Sequence, residues 1–432
     1  MMRDERPMRF LIFEDQSTEN LSQLAMLRPV FELICGRESL RRRVQRWYPM
    51  AEGGVWIRPW LTPVYQEEHP LLRVNDAAWL GSSATLLVNG RWLPAERLQS
   101  HEVTPDNAGL IDGHLAWVLV ERAELQLLDE DNFCAAVLRV AASRRTIEAS
   151  GSMIRYPWDL VNQNRQQLVR DFADEGVSQS PQHPSVVVLG CPQDVYVSAE
   201  AEIDPFVVLD ARTGPISIDR DVHIQSFTRI EGPCHISRGT KIFRALIRGG
   251  TTIGEHCRVG GEIENSVLHA FINKYHEGFL GHSYVCPWVN LGAMTTTSDL
   301  RNDYTAVRVP LQGAPIDSET LKVGSFIGDF TKTAIDSMFN AGSSIGVMAM
   351  VLPGGRLLPR HIPSFASVSF GDLSADWSLE QSLSVAAATV ARRDRRLSPA
   401  TVSLLRTLYE QTEPERQLAL ERALRQRLQT GR

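Results

Sequence analysis

Between Ile263 and Pro310 the chain collects side chains that do chemistry. Glu264, Asn265, His269, Asn273, Lys274, His276, Glu277, His282, Asn290, Asp299, Arg301, Asn302, Asp303 and Tyr304 all fall there. An imidazole titrates near neutral pH and can take a proton from an attacking group. A buried carboxamide offers three or four hydrogen bonds to orient a polar substrate. Together these residue types suit proton transfer on a bound polar substrate.

The elements that must hold them are legible around this stretch. Ile218, Ile224, Ile230, Ile236 and Ile242 recur every sixth residue. Ile327, Thr333, Phe339, Ile345 and Val351 repeat the pattern, with Thr333 as its flaw, and Val197, Ile203 and Leu209 begin it. A period of six fits neither an amphipathic helix nor a half-buried strand. It predicts a hexapeptide β-helix, whose rungs must stack because none buries its apolar face alone. Gly254, Gly260, Gly281, Gly292, Gly324, Gly328 and Gly346 follow apolar positions and are expected where room is short or φ is positive. The six-residue phase fails from Ile263 to Pro310, so the reactive side chains are expected on loops inserted into the binding face.

Upstream the pattern changes. Met8–Phe13, Ala84–Val88 and Leu115–Val120 read as strands, and Asn89-Gly90 as a turn. Asn132–Ala149 and Tyr156–Asp174 read as helices, and Leu21–Arg46 as helical in places, interrupted at Arg28-Pro29. Mixed strands and helices predict an α/β domain over 8–177. Ser178–Pro184 reads as a linker, the β-helix as 185–371, and 372–432 as a helical tail. Ser398-Pro399 marks a helix start, and Leu420, Leu424 and Leu428 share a face with a Glu421–Arg425 pair beside them. The tail is expected to cover the β-helix end or to pack in an oligomer.

Composition bounds the partners. A net charge of −6 and a pI near 6.0 leave no basic footprint for nucleic acid, and Arg392–Arg396 reads as a solvated helix face. No apolar run is long enough to cross a bilayer. Six scattered cysteines without a CxxC pair read as reduced thiols of a cytoplasmic protein.

Several runs resemble one family. Ile247-Arg248-Gly249-Gly250, Asn273-Lys274-Tyr275-His276, Gly278-Phe279-Leu280-Gly281 and Val289-Asn290-Leu291-Gly292-Ala293 are similar to the acetyltransferase half of GlmU-like proteins. Those are bifunctional N-acetylglucosamine-1-phosphate uridylyltransferases and glucosamine-1-phosphate N-acetyltransferases. Asn302-Asp303-Tyr304, Met338-Phe339-Asn340-Ala341-Gly342 and Ile362-Pro363-Ser364-Phe365 resemble a divergent branch of the same family. The resemblance implies a nucleotidyltransferase-like α/β domain, a left-handed parallel β-helix, a homotrimer, and acetyl-CoA as donor to a sugar phosphate. It implies His276 as catalytic base, and Arg248, Lys274, Asn290, Asn302 and Tyr304 as substrate-binding residues. The chain departs from the better-known branch at Glu264-Asn265, where an acceptor-binding Lys is expected, and at Ser298–Asn302.

The start of the chain, with Glu14-Asp15, Leu27-Arg28-Pro29-Val30 and Glu32-Leu33, resembles the nucleotidyltransferase-like domain of that branch. A Gly-rich phosphate loop is expected after the first strand; Glu14-Asp15-Gln16-Ser17 stands there instead. An Asp for Mg²⁺ is expected later; Asn89-Gly90-Arg91 stands there. Arg28, Arg37 and Arg91 are the candidates for nucleotide phosphates, UTP among them, and Asp15 or Asp159 for Mg²⁺. The alternative to an enzyme is a trimeric scaffold or sugar-nucleotide sensor without catalysis.

Overall fold

The computed structural model describes residues 9–99, 101–125, 132–175 and 184–430. Met8, most of the expected linker and the last two residues lie outside them. The chain forms two compact units: 1–34 with 38–156, and 35–37 with 157–432.

The first unit is built on a seven-stranded sheet. Its order is Arg145–Glu148, Asn107–Ile111, His114–Val120, Thr85–Asn89, Arg9–Phe13, Glu52–Trp56 and Arg73–Val74. The central strand, Arg-Phe-Leu-Ile-Phe, is buried at all five positions and pairs in parallel on both sides. A strand covered on both faces reads as a continuous apolar run, which is how it shows in the sequence. The helix expected over Asn132–Ala149 stops at Ala142, and Arg145–Glu148 is an edge strand instead. The β-branched Thr146 and Ile147 favour the extended chain, and Asn107–Ile111 offers an open sheet edge. Leu21–Arg46 also holds less helix than its spacing suggests: only Ser22–Ala25 and Leu40–Trp47 are α-helical.

The second unit is a parallel β-helix. Ile216 pairs with Cys234 and Ser325 with Ser343, each eighteen residues on, or three hexads per coil. Ile218, Ile224, Ile230, Ile236 and Ile242 are fully buried in one column system, as are Ile327 and Ile345. Thr333 is tolerated inside because its hydroxyl meets Thr295 Oγ1 at 2.8 Å and accepts from the Gly292 amide at 3.1 Å. The lost phase has a simple cause. Thr252 pairs with Val267 and Val267 with Tyr284, so these coils have fifteen and seventeen residues. Tyr284 then pairs with Phe326, and the long coil carries an antiparallel hairpin, Arg308–Leu311 with Ala314–Asp317.

The expected corner glycines do a different job from positive φ. A Cβ on Gly254 would sit 1.4 Å from the His269 carbonyl oxygen, and one on Gly324 would sit 1.9 Å from that of Gly281. Room, not dihedral freedom, selects glycine there. Positive φ falls instead on large residues: His256 (56°), Phe271 (57°), Trp288 (64°) and Phe330 (60°). Their rings stack from coil to coil, with centroids 5.2, 4.2 and 6.1 Å apart. Stacking offsets the cost of the left-handed backbone.

Pro157–Glu175 belongs to this unit. Its buried Asn164 donates to the Gly250 carbonyl at 2.8 Å and to Thr252 Oγ1 at 3.0 Å. Three helices follow the last coil: Leu379–Ala391, Pro399–Gln411 and Glu413–Thr430. Ser398 caps the second by accepting from the Thr401 amide, with Pro399 at the first helical position. Ala419, Leu420 and Ala423 of the third pack on the β-helix core, so the tail covers its open end.

Candidate functional site

In the first unit, the loop after the central strand is organised by two carboxylates. Glu14 is buried and accepts from the Val30 amide at 2.9 Å, the Arg58 amide at 3.1 Å and the Arg58 guanidinium at 3.0 Å. Asp15 accepts from Arg91 at both oxygens, 2.7 Å to Oδ1 and 2.6 Å to Oδ2, and from Asn89 Nδ2 at 2.9 Å. Arg91 is itself buried and donates on to the Ile154 carbonyl at 2.9 Å. Burial pushes the Asp15 carboxyl up, but the hydrogen bonds and charge of Arg91 outweigh it and hold the group below the usual range.

The expected metal ligand is thus closed by an internal cation. Among the described residues, Asp15 belongs to no group of three metal-binding side chains, and the residues present do not fit a Mg²⁺ ion there. Asp159 lies on Pro157–Glu175, in the second unit. Of the expected phosphate ligands, Arg91 is spent on Asp15. Arg28 donates to the Leu24 carbonyl at 3.2 Å. Arg37 lies in the second unit, 3.5 Å from Asp219.

In the β-helix, the expected residues fall into separate places. Arg248 reaches Glu262 at 2.7 Å, with Glu264 at 3.9 Å; Glu262 above all holds its guanidinium in the charged form. Glu264 also holds Lys322 of the long coil at 3.3 Å, and its carbonyl accepts from the His282 amide at 3.0 Å. His282 Nδ1 meets Asp299 Oδ2 at 2.7 Å, both side chains being mostly buried. Burial raises the Asp299 carboxyl, yet its bond to His282 and the charges of His282 and Lys322 bring it below the ordinary range. A carboxylate at Nδ1 fixes the tautomer and leaves Nε2 to exchange protons. The sequence offered both residues but no reason to join them, because seventeen residues and one coil separate them.

His276 is exposed, its ring 4.8 Å from Tyr275, which packs in turn on Phe243. Lys274 points into the prism in the column of Val259. Its ammonium donates to the Gly260 carbonyl at 3.1 Å and the His276 carbonyl at 2.7 Å, and burial lowers its pKa to about 8. It therefore braces the His276 backbone from inside and does not face a phosphate in solvent. Asn302 and Tyr304 are exposed in the long coil, where Arg301 and Asp303 pair with each other at 2.5 Å.

Asn290 accepts from Asn273 Nδ2 at 2.6 Å, and both line a cavity of about 280 Å³. Arg258, Lys332, Arg392 and Arg393 line it too. Arg392–Arg396 is therefore more than a solvated face: two of its guanidinium groups border a cavity.

Residues 10–175 match the sugar nucleotidyl transferase family. A bifunctional sugar-1-phosphate nucleotidylyltransferase/acetyltransferase of Sulfurisphaera tokodaii is 28% identical over 239 residues, covering 54% of this chain and 52% of that protein. The bifunctional protein GlmU of Bordetella parapertussis is 27% identical over 182 residues, covering 39% and 37%. The chain spans about half the length, or less, of these curated relatives. A UDP-N-acetylglucosamine acyltransferase of Arabidopsis aligns over 49% of this chain and 79% of its own at 14% identity, with a TM-score of 0.25. The first unit therefore matches a sugar nucleotidyl transferase family model, and the chain is similar, at modest identity, to bifunctional GlmU-like nucleotidyltransferase/acetyltransferases.

Proposed function

We propose that the chain transfers an acetyl group from acetyl-CoA to the amine of an amino sugar phosphate of the glucosamine-1-phosphate kind. It works in the cytoplasm, as a homotrimer, on the route to UDP-N-acetylglucosamine. The observation that carries this reading is the charged cluster that links Arg248, Glu264, Lys322, Asp299 and His282 across adjacent coils. It sets a guanidinium suited to a sugar phosphate near an imidazole oriented by a carboxylate. The relatives named as acetyltransferases support it. In the reaction the neutral amine attacks the thioester carbonyl, the N–C bond forms and the C–S bond breaks. An imidazole takes one proton from the attacking nitrogen, and a proton ends on the CoA sulfur. The resemblance to GlmU-like acetyltransferases implies His276 as that base; His282 is the imidazole that a carboxylate, Asp299, orients.

The test is release of free thiol from acetyl-CoA by the purified chain with glucosamine-1-phosphate. No release above the hydrolysis blank with any amino sugar phosphate would refute the reading. Sedimentation at the 48.3 kDa monomer mass would refute the trimer.

A second reading applies to the first unit alone, because Arg91 occupies Asp15. There the domain serves as a scaffold or a sugar-nucleotide sensor. Pyrophosphate release from UTP and N-acetylglucosamine-1-phosphate at the rate of ordinary uridylyltransferases would refute it.

A further inference from the structure

We propose that the cavity between the β-helix wall and the turn after Leu379–Ala391 is a binding site for a phosphate ester, built around Arg258, Arg392 and Arg393. Its floor is a ladder of register partners, Asn273, Asn290 and Lys332, on three successive coils. Arg258 faces Asn273 in the next register, so one wall offers a cation, two amides and, in line with them, the Lys332 amine, whose charged form burial disfavours. Arg392 and Arg393 close the other side.

The charge pattern points to an anion. Among the described residues, none of Arg258, Lys332, Arg392 and Arg393 lies within ion-pair distance of a carboxylate. That separates them from Arg248, Arg238 and Arg301, which each have at least one. Glu255, the carboxylate whose field reaches neighbouring Cys257, is held by Arg238 at 3.0 Å. Burial, then the charges of Arg258 and Arg392, work against the Arg393 cation, and burial and Arg392 work against the Lys332 cation. Clustered cations repel one another more as water is withdrawn. A doubly charged phosphate would relieve that repulsion and take bidentate bonds from the guanidinium groups.

The turn is also held ready. Arg395 lies over the Phe271 ring at 4.7 Å, and Phe271 belongs to the aromatic stack along the corner. This anchors the two neighbouring arginines before a ligand arrives, which lowers the ordering cost of binding. The amides distinguish the site from a bare basic patch. Asn273 and Asn290 spend one bond on each other and retain donors and acceptors for the organic part of an ester.

The assignment is independent of acyl transfer, since it needs only an anion, and its readout is binding. The full chain is titrated calorimetrically with pyrophosphate, CoA, glucosamine-1-phosphate and, as a blank, sodium chloride. The double variant Arg392→Ala/Arg393→Ala and the distant control Arg425→Ala are titrated alongside. Both substituted arginines of the double variant sit in an exposed or half-exposed turn, so the fold should persist, and circular dichroism checks it. Saturable binding of pyrophosphate, weakened at least about 10-fold in the double variant and unchanged in the control, is the expected result. CoA or the sugar phosphate showing the same loss identifies which ester the site takes. Binding that is equal in wild type and double variant overturns the assignment, as does absence of saturable binding by all three anions.

Discussion

Replacing Lys332 by Met should change how stability depends on pH. Burial lowers the Lys332 ammonium from 10.5 to about 7. The direction of the effect follows from proton counting. Between pH 7 and 10.5 the unfolded chain binds a proton at this lysine that the folded chain has released. Stability therefore rises with pH through that window. Below pH 7 both states are protonated and the full cost of a buried ammonium is present. The whole shift corresponds to roughly 5 kcal/mol, at about 1.4 kcal/mol per pH unit. From pH 6 to pH 9 the part due to Lys332 is about 2.5 kcal/mol by the same linkage. Lys332→Met removes that part and also the hydrogen bond to the Trp288 carbonyl, a loss independent of pH. Urea unfolding of wild type and variant at pH 6, 7.5 and 9 gives the difference in slope, and other titrating groups cancel. Wild type should gain about 2.5 kcal/mol more than the variant over this range. Identical slopes would show that Lys332 keeps an ordinary pKa and that the cavity wall is wetter than its packing indicates.

The remaining predictions concern the sites. Arg248→Ala should raise KM for the sugar phosphate roughly 10- to 150-fold, with a smaller change in kcat, since a charge-assisted bond contributes about 1.5–3 kcal/mol to both states; steady-state kinetics with an unchanged KM would remove it from the site. A general base contributes about 10²–10⁴-fold, so the imidazole that takes the amine's proton is identified by that loss in kcat and by loss of the acidic limb of the pH profile. By the family resemblance this is His276→Ala, with CoA binding retained; if His282→Ala and Asp299→Asn share the loss while His276→Ala does not, the oriented imidazole is the base. Arg91→Ala should destabilise the first unit by about 3 kcal/mol, because it strands the mostly buried Asp15 carboxylate; a melting temperature equal to wild type would refute this.

The β-helix was legible in the sequence because its period is set by local geometry. Each hexad puts one side chain in the column, so Ile218 through Ile242 are spaced identically whatever surrounds them. The tail helix at Ser398-Pro399 was legible for the same reason: its cap is made by residues three apart. The buried central strand of the first unit was legible as a continuous apolar run. Arg145–Glu148 was not, since an edge strand depends on a partner, Asn107–Ile111, far along the chain.

The chemistry depended on coil register. His282 and Asp299 are seventeen residues apart, a distance that means nothing until the coil between them closes at that length. Lys274 has the composition of a surface residue, but alternation along its short strand turns it inward beneath His276. Arg91 follows an Asn-Gly turn, and only the packing of strands Arg9–Phe13 and Thr85–Asn89 brings it onto Asp15. Arg392 and Arg393 gain their setting from a helix folded back over coils more than fifty residues upstream. Sequence alone determined which residues repeat, turn and cap, because those forces act within a few residues. Tertiary structure decided which charges meet, because a buried charge is neutralised by whatever the fold places beside it.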